Sequence, residues 1–268
     1  MTGIDLVVTD LDGTLWHTDD RLHPRTTWGV RELGRSGIPL LVATGRRVGS
    51  TRGPLARFGL TPPAVVLNGA VALDLGTGER FHRFAFSAED AAEVLGCFSA
   101  RGLDPCVYVD HGDTEVFVSP SPSTHPGHLR QLGAAARVGD LLDVTATLPV
   151  LAFAIMGLAD EVLGPVAELV SSVAVPYLDR SIDFGGGALT VAPRGLSKWV
   201  GVVAYCDLAG LDTGAVLAIG DGPNDIELLS NAKVAVAPEG AHPSLSAIAH
   251  HVVPSARDGG WASLLELL

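Results

Sequence analysis

Residues 6–14 read LVVTDLDGT, a short apolar run followed by two acidic residues, a glycine and a threonine. The run Leu6–Thr9 has the length and the β-branched content of a buried strand. Gly13 permits a tight turn after this strand, and such a turn can swing the carboxylates of Asp10 and Asp12 toward the same space. The segment therefore predicts a pair of acidic side chains at the carboxyl end of a buried strand.

Apolar strands that end in polar residues recur along the chain, and helices are expected between them, near residues 26–36 and 197–209. This alternation predicts an α/β fold with a doubly wound parallel sheet. Ligands of open α/β sheets bind beyond the carboxyl ends of the strands, so the polar residues should converge on one crevice. The other predicted strands and their polar ends are 38–43 with Thr44-Gly45-Arg46, 64–67 with Asn68-Gly69, and 216–219 with Gly220 to Asp225.

The middle of the chain has a different pattern, because helix-like and strand-like stretches are mixed there in the manner of an α+β domain. We therefore expect residues 85–190 to form an inserted domain, and residues 1–84 and 191–268 to form the core domain. The helix-like stretches are 87–101, 125–136 and 160–172, and the strand-like stretches are 106–109, 115–118, 150–156 and 189–191.

The composition excludes several classes of protein. Of the 268 residues, 47% are hydrophobic and 18% are charged, which provides a core and excludes general disorder. The formal net charge of -12 repels nucleic acid backbones and anionic lipids, so neither nucleic acid nor a membrane is an expected partner. Three cysteines without a Cys-x-x-Cys pair indicate a reducing compartment. Because the chain starts without a leader-like segment, we expect a cytoplasmic location.

The carboxylates of Asp10 and Asp12 can divide nucleophilic and acid–base work between them. One carboxylate, held against a divalent cation, stays nucleophilic, while its neighbour carries a proton to a leaving oxygen. An ordinary polar turn after a strand is the alternative. A calcium-binding EF-hand is excluded, because Thr14 and Arg21 stand where that loop needs its fifth and twelfth residues as ligands.

Two further segments offer groups that suit a phosphate. Thr44 and Gly45 supply a hydroxyl and backbone N–H groups where a strand meets a helix, although an ordinary helix cap is the alternative. Lys198 stands at the predicted start of a helix, where a cation opposes the helix dipole unless an anion lies nearby. A solvated surface lysine is the alternative there.

Residues 220–225 read GDGPND, and their two glycines and proline shape a loop after an apolar strand. The loop brings Asp221, Asn224 and Asp225 together. Oxygen ligands of this kind suit Mg²⁺, which usually takes one or two protein carboxylates and fills its shell with water and substrate phosphate. A plain turn rich in Asp and Asn is the alternative.

Together these four segments resemble the motifs of the haloacid dehalogenase-like (HAD) hydrolase superfamily. Those motifs are an Asp-x-Asp-Gly-Thr, a Thr or Ser, a Lys and a Gly-Asp-x-x-x-Asp, and all four occur here in that order. The long insert, the Asn68-Gly69 step and residues 220–229 resemble the Cof-type, class IIB branch. The resemblance spans essentially the whole chain, and it implies a Rossmann-like core with an inserted cap domain that selects the substrate.

The resemblance also implies a role for each motif residue. Asp10 is the expected nucleophile, and Asp12 is the expected general acid and base. Expected ligands of Mg²⁺ are Asp10, Asp12 through its backbone carbonyl, and Asp221. The expected phosphate-binding residues are Thr44, Gly45, Lys198 and Asn224, and the expected supporting residues are Gly13, Thr14, Arg46, Asn68 and Asp225.

The implied activity is Mg²⁺-dependent hydrolysis of a small phosphorylated metabolite, with a sugar phosphate as the best candidate, through an aspartyl phosphate. A sugar-phosphate mutase or phosphotransferase, or a catalytically silent binder of a phosphorylated ligand, is the alternative. Two positions depart from the branch: Thr9 replaces a usually apolar residue, and residues 238–241, PEGA, replace the usual Gly-Asn-Ala. Trp16 and His17 follow the first motif, where a side chain could reach the substrate, and a packed Trp is the alternative.

Overall fold

The computed structural model describes residues 3–17, 20–112, 114–181 and 184–268. The chain divides into two compact units, Met1–Arg83 with Ser197–Leu268, and Phe84–Leu196. We call the first the core unit and the second the insert. The sequence predicts the second boundary after residue 190, within the strand Gly187–Ala192. In the structure this whole strand belongs to the insert, because it pairs there with a strand on each side.

The secondary structure follows the chain from the core unit into the insert and back. The core unit begins with β1 Leu6–Thr9, α1 Pro24–Ser36, β2 Leu40–Ala43, α2 Val48–Arg57, β3 Pro63–Val66, β4 Val71–Asp74 and β5 Arg80–Arg83. The insert contains α3 Ala88–Ser99, β6 Cys106–His111, β7 Thr114–Val118, α4 Pro126–Leu132, β8 Ala136–Val138, α5 Leu141–Thr147, β9 Val150–Leu158, α6 Asp160–Val170, β10 Val175–Arg180 and β11 Gly187–Ala192. The core unit resumes with α7 Lys198–Ala209, β12 Val216–Ile219, α8 Ile226–Asn231, β13 Val234–Pro238, α9 Pro243–Ser246 and β14 His251–Val253.

The sheet of the core unit has the strand order β14-β13-β12-β1-β2-β3-β4-β5. The predicted α/β fold is confirmed, with β1 at the centre between parallel neighbours. The sequence predicts a parallel sheet, and the structure adds two strands at one edge, where β4 runs antiparallel to both of its neighbours, β3 and β5. The reason is the connection from β3 to β4, the single 3₁₀ turn Leu67–Gly69, which is too short for the crossover of a parallel pair.

Side chains of β1 alternate between the two faces of the sheet. Leu6 and Val8 pack in one apolar cluster with Val202 and Cys206 of α7. Thr9 belongs to the opposite face, where the indole of Trp261 donates a hydrogen bond to its hydroxyl. Because β1 is buried between these two layers, polar side chains can gather only beyond its carboxyl end.

The insert is built on a second sheet, with the order β10-β11-β9-β6-β7-β8. Side chains of α3, α5 and α6 pack on this sheet in one apolar cluster centred on Phe98 and Phe153. The helix predicted over residues 125–136 ends at Leu132, because Gly133 takes φ +51° and ψ -129° and the chain then enters β8. Over the described parts of both units, no helix is long and apolar enough to cross a membrane.

Candidate active site

Asp10 follows the last residue of β1, and its side chain is nearly buried. Its backbone N–H donates to the carbonyl of Ile219 at the end of β12, at 3.0 Å, which fixes it at the centre of the sheet. Its Oδ1 accepts a hydrogen bond from Nζ of Lys198 at 2.6 Å. Lys198 is 0% exposed, so it is not the solvated surface lysine that the sequence left open. The first residue of α7 therefore delivers a buried ammonium to the carboxylate after β1.

The same ammonium holds the loop after β12. Nζ of Lys198 donates to Oδ1 of Asp225 at 2.6 Å, and Asp225 is fully buried. Oδ2 of Asp225 accepts the backbone N–H groups of Asp221 and Gly222 at 3.1 and 3.0 Å. Gly220 is required in this loop, because a Cβ there would lie 2.4 Å from Cγ of Asp225. Asp225 therefore links Lys198 to the turn that presents Asp221.

Negative charge exceeds positive charge at this point. Oxygens of Asp10, Asp221 and Asp225 lie within 4.8 Å of one another, and Lys198 is the cation bound to two of them. Burial raises the pKa of Asp10 well above its usual range, although the Lys198 ammonium opposes this. Burial also raises the pKa of Asp221 to about 6, although the hydroxyl of Thr14 donates to its Oδ1 at 2.8 Å. A further cation would relieve this excess charge.

The donor set fits a hard divalent cation such as Mg²⁺, because it consists of clustered carboxylate oxygens. Both oxygens of Asp225 already accept hydrogen bonds, so Asp10 and Asp221 are better placed to bind a metal. Gly13 makes room for Asp221, since a Cβ at Gly13 would lie 2.2 Å from Oδ2 of Asp221. The carboxylate of Asp12 points elsewhere, which leaves its backbone carbonyl as the predicted ligand.

Asp12 is held by Arg46 and Trp16. Nε of Arg46 donates to Oδ2 of Asp12 at 2.6 Å, and Nη2 of Arg46 donates to Oδ1, so the pair is bidentate. Nε1 of Trp16 donates to the same Oδ1 at 3.1 Å. Nη2 of Arg46 also donates to Asp20 at 2.6 Å, and the two acidic partners outweigh burial and raise the pKa of Arg46. The side chain of Asp12 is 47% exposed, so it is fixed in orientation but accessible.

Gly45 follows β2, Asn224 follows β12 and Asn68 follows β3, and these three residues lie close together. Nδ2 of Asn224 donates to Oδ1 of Asn68 at 2.9 Å. Both side chains border Gly45, because a Cβ at Gly45 would lie 3.1 Å from Oδ1 of Asn68 and 3.6 Å from Nδ2 of Asn224. The hydroxyl of Thr44 is buried and accepts the backbone N–H of Arg46 at 3.2 Å. The backbone of Gly45 thus lies open beside a pair of amide side chains.

The structure brings the predicted site residues into three connected groups at the carboxyl edge of the core sheet. Two contacts beside these groups were not predicted from the sequence: the hydrogen bond from the indole of Trp16 to Asp12, and the hydrogen bond between Trp261 and Thr9. A buried indole N–H and a hydroxyl in an apolar strand each need a partner, which was the available signal. The groups are Asp10, Thr14, Lys198, Asp221 and Asp225, then Asp12 with Arg46, and then Thr44, Gly45, Asn68 and Asn224.

Known proteins align with this chain over nearly its whole length. The family profile of haloacid dehalogenase-like hydrolases matches residues 7–265. A phosphoglycolate phosphatase from Methanopyrus kandleri is 26% identical over 98% of this chain and 96% of its own length. A 5-amino-6-(5-phospho-D-ribitylamino)uracil phosphatase from Bacillus subtilis is 24% identical over 97% of this chain and 96% of its own.

Solved structures agree on the fold. The HAD subclass IIB sugar phosphatase BT4131 superimposes with a TM-score of 0.74 at 18% identity, and the match covers 98% of each chain. Because the family profile covers nearly the whole chain, the resemblance seen in the motifs is confirmed. The chain belongs to the haloacid dehalogenase-like hydrolases.

Proposed function

We propose that the protein is a Mg²⁺-dependent phosphatase that takes phosphate from a small metabolite through an aspartyl phosphate on Asp10. The observation that supports this most directly is the carboxylate of Asp10, which is 6% exposed and lies against the Lys198 ammonium and beside Asp221. A buried carboxylate with these neighbours suits a nucleophile that must meet a phosphate dianion.

The free cysteines Cys97, Cys106 and Cys206 support a cytoplasmic location.

The first step forms a bond between a carboxylate oxygen of Asp10 and phosphorus. The bond between phosphorus and the leaving oxygen breaks, and Asp12 donates a proton to that oxygen. Lys198 offsets negative charge as the phosphoryl group arrives. Mg²⁺, held by Asp10, Asp221 and the carbonyl of Asp12, would neutralise charge on the carboxylates and on the phosphoryl oxygens.

The second step releases phosphate from Asp10. Asp12 accepts a proton from water as the water oxygen attacks phosphorus, and the bond between Asp10 and phosphorus breaks. The hydroxyl of Thr44 and the open backbone of Gly45 would bind phosphoryl oxygens in both steps, and Asn224 would donate its remaining amide hydrogen. The residues assigned to the two steps therefore all belong to the core unit.

A sugar phosphate is the first candidate for the substrate, and 2-phosphoglycolate is the second. The similarity to a sugar phosphatase and to a phosphoglycolate phosphatase supports testing both classes. We assign the choice between them to the insert, Phe84–Leu196. Exchange of these residues for the matching segment of the Methanopyrus kandleri relative should transfer the ranking of substrates, and an unchanged ranking would contradict this assignment.

The test of the activity is release of inorganic phosphate from p-nitrophenyl phosphate, a panel of sugar phosphates and 2-phosphoglycolate. It is run with Mg²⁺ and with EDTA on the wild type, on Asp10→Asn and on Asp207→Asn. Asp207 is an exposed carboxylate on α7 and provides the matched control. We expect release that needs Mg²⁺, persists in Asp207→Asn and is lost in Asp10→Asn.

Robust release by Asp10→Asn would contradict the assignment of the nucleophile. Release by the wild type in EDTA would contradict the metal dependence. Transfer of phosphate to an added sugar instead of water would favour a mutase or phosphotransferase, and binding without turnover would favour a silent binder. Trapping of the acid-labile phosphate on Asp10 by mass spectrometry tests the covalent step itself.

A further inference from the structure

The turn after β1 contains a residue that the mechanism above does not use. Trp16 is 0% exposed, and its backbone closes the turn through hydrogen bonds with Leu11 and Gly13. A buried aromatic ring needs no functional role to explain its position. Its Nε1, however, lies 3.1 Å from Oδ1 of Asp12, a carboxylate that remains 47% exposed. The indole therefore contacts a polar side chain that solvent and ligand can reach.

Trp16 also contacts the other partner of Asp12. The guanidinium carbon of Arg46 lies 5.2 Å from the centre of the indole ring, within cation–π range. Nε and Nη2 of Arg46 donate to the two oxygens of Asp12, and Nε1 of Trp16 donates to one of them. Three N–H groups from two side chains that touch each other thus fix the plane of one carboxyl group.

We propose that Trp16 is a positioning residue, which aims the carboxyl of Asp12 at the leaving oxygen of the substrate. The inference rests on the proposed function, in which Asp12 is the general acid. Proton transfer needs a donor within hydrogen-bond reach of its acceptor, and small misplacements slow it strongly. Without fixed partners, a half-exposed Asp side chain on a turn would sample several rotamers, and only some of them would reach the leaving oxygen. A fixed N–H donor should therefore raise the rate of proton transfer.

The proposal predicts a dependence on the leaving group. An alkoxide from a sugar phosphate is a poor leaving group and needs the proton of Asp12, whereas p-nitrophenolate departs as a stable anion. The value of kcat/KM covers the steps up to formation of the aspartyl phosphate, so the later hydrolysis does not enter the comparison. If Asp12 is no longer held in this orientation, kcat/KM for the sugar phosphate should therefore fall more than kcat/KM for p-nitrophenyl phosphate.

The test compares wild type, Trp16→Phe and Trp28→Phe with the best sugar phosphate of the panel and with p-nitrophenyl phosphate. In Trp16→Phe, kcat/KM for the sugar phosphate should fall about tenfold, the effect of one hydrogen bond to a charged group, and p-nitrophenyl phosphate should change less than about twofold. Trp28 is 54% exposed on α1, so Trp28→Phe should change neither value. Asp12→Asn should show the same selectivity as Trp16→Phe, with a larger loss.

Equal losses with both substrates, or no loss with either, would overturn the role of Trp16. If Trp16→Phe does not fold, 3-benzothienylalanine at position 16 keeps the double ring and replaces the N–H with sulfur, and the same selective loss is expected. A wild type that is inactive with every substrate, or an active Asp10→Asn, overturns the proposed function and this inference with it. An active wild type whose Trp16→Phe variant loses nothing selectively overturns this inference alone.

Discussion

The indole of Trp261 donates a hydrogen bond of 3.0 Å to the hydroxyl of Thr9, although the two residues are 252 positions apart. The hydroxyl in turn donates to the backbone carbonyl of Asp10 at 2.7 Å. Both side chains are buried. The C-terminal 3₁₀ segment Gly260–Leu267 is therefore tied to the backbone of the proposed nucleophile.

This contact predicts energetic coupling between Thr9 and Trp261. Thr9→Val leaves a buried N–H without its acceptor, which should lower the free energy of unfolding by about 1–3 kcal/mol. Because the double variant Thr9→Val/Trp261→Phe has lost both partners, its loss should be smaller than the sum of the single losses by about 1 kcal/mol. Urea unfolding of all four proteins measures this coupling.

Thr51 provides the control for that cycle. It is also buried, and its hydroxyl donates to the carbonyl of Arg47 at 2.9 Å instead of contacting the indole. Thr51→Val and Trp261→Phe should therefore have additive effects. Additive effects of Thr9→Val and Trp261→Phe would show that the hydrogen bond contributes no coupling.

Lys198 should be essential for both stability and activity. Lys198→Met leaves the buried carboxylates of Asp10 and Asp225 without their shared cation, which should cost about 3–5 kcal/mol of unfolding free energy. Phosphatase activity should fall by at least about 10²-fold, because the charge beside the nucleophile is lost. Thermal unfolding and steady-state kinetics measure the two effects.

The only other lysine of the sequence, Lys233, offers a matched substitution. Its ammonium is exposed and donates to the carbonyl of Gly3 at 3.0 Å. Lys233→Met should change stability by less than about 1 kcal/mol and leave activity intact. A similar loss in Lys198→Met and Lys233→Met would contradict a special role for the buried lysine.

Gly13→Ala should disable the site more than it destabilises the fold. Gly13 has φ +78°, and the new methyl group would meet Oδ2 of Asp221 at 2.2 Å. We expect a loss of about 1–2 kcal/mol from the left-handed backbone and a fall in activity of at least about 10²-fold from the displaced carboxylate. The concentration of Mg²⁺ needed for half-maximal activity should also rise.

Gly37 isolates the backbone effect, because it has the same φ of +78° and open space around its Cβ position. Gly37→Ala should lose a similar amount of stability and keep its activity. If Gly13→Ala keeps full activity, the close approach of Gly13 to Asp221 has no catalytic consequence.

Local sequence signals predicted the strands that surround the site. The predicted and observed bounds agree for β1, Leu6–Thr9, and for β12, Val216–Ile219, because each is a fully buried apolar run with a polar end. The edge strands β4 and β5 were not predicted, and the antiparallel direction of β4 depends on the length of the 3₁₀ turn before it. Hydrophobic pattern sets the type of an element, and connection length sets its direction.

The motifs named the residues of the site but not all of their contacts. Asp10, Lys198 and Asp221 lie together as polar ends of neighbouring elements should. The choice of Arg46 and Trp16 as partners of Asp12 depends on side-chain geometry within a turn, and spacing does not encode it. Residue type and order therefore predicted which side chains lie close together, whereas the orientation of those side chains was not predictable.

The raised pKa of Asp221 predicts how the metal-free protein responds to pH. Burial raises this pKa from the ordinary 3.8 to about 6. Between about pH 4 and pH 6 the folded state then binds more protons than the unfolded state, so the free energy of unfolding falls as pH rises. This contribution of Asp221 is complete below about pH 4 and is lost above about pH 6, and it amounts to at most about 3 kcal/mol.

Asp221→Asn removes this titration, which makes the difference between wild type and variant the informative quantity. In EDTA, the stability of the wild type relative to Asp221→Asn should decrease from about pH 4 to pH 7, as measured by urea unfolding. Asp207→Asn removes an exposed carboxylate of the same unit and controls for the loss of one negative charge. A relative stability that increases with pH would contradict the raised pKa.

Mg²⁺ should reverse the trend in the wild type, because the metal binds the deprotonated carboxylate and stabilises the folded state. At pH 7 and about 100 times the dissociation constant, the gain is about 2.7 kcal/mol. The gain should shrink as pH falls below about 6, since protons then compete with the metal for Asp221. In Asp221→Asn both the gain and its pH dependence should be small, and a full gain in that variant would place the metal away from Asp221.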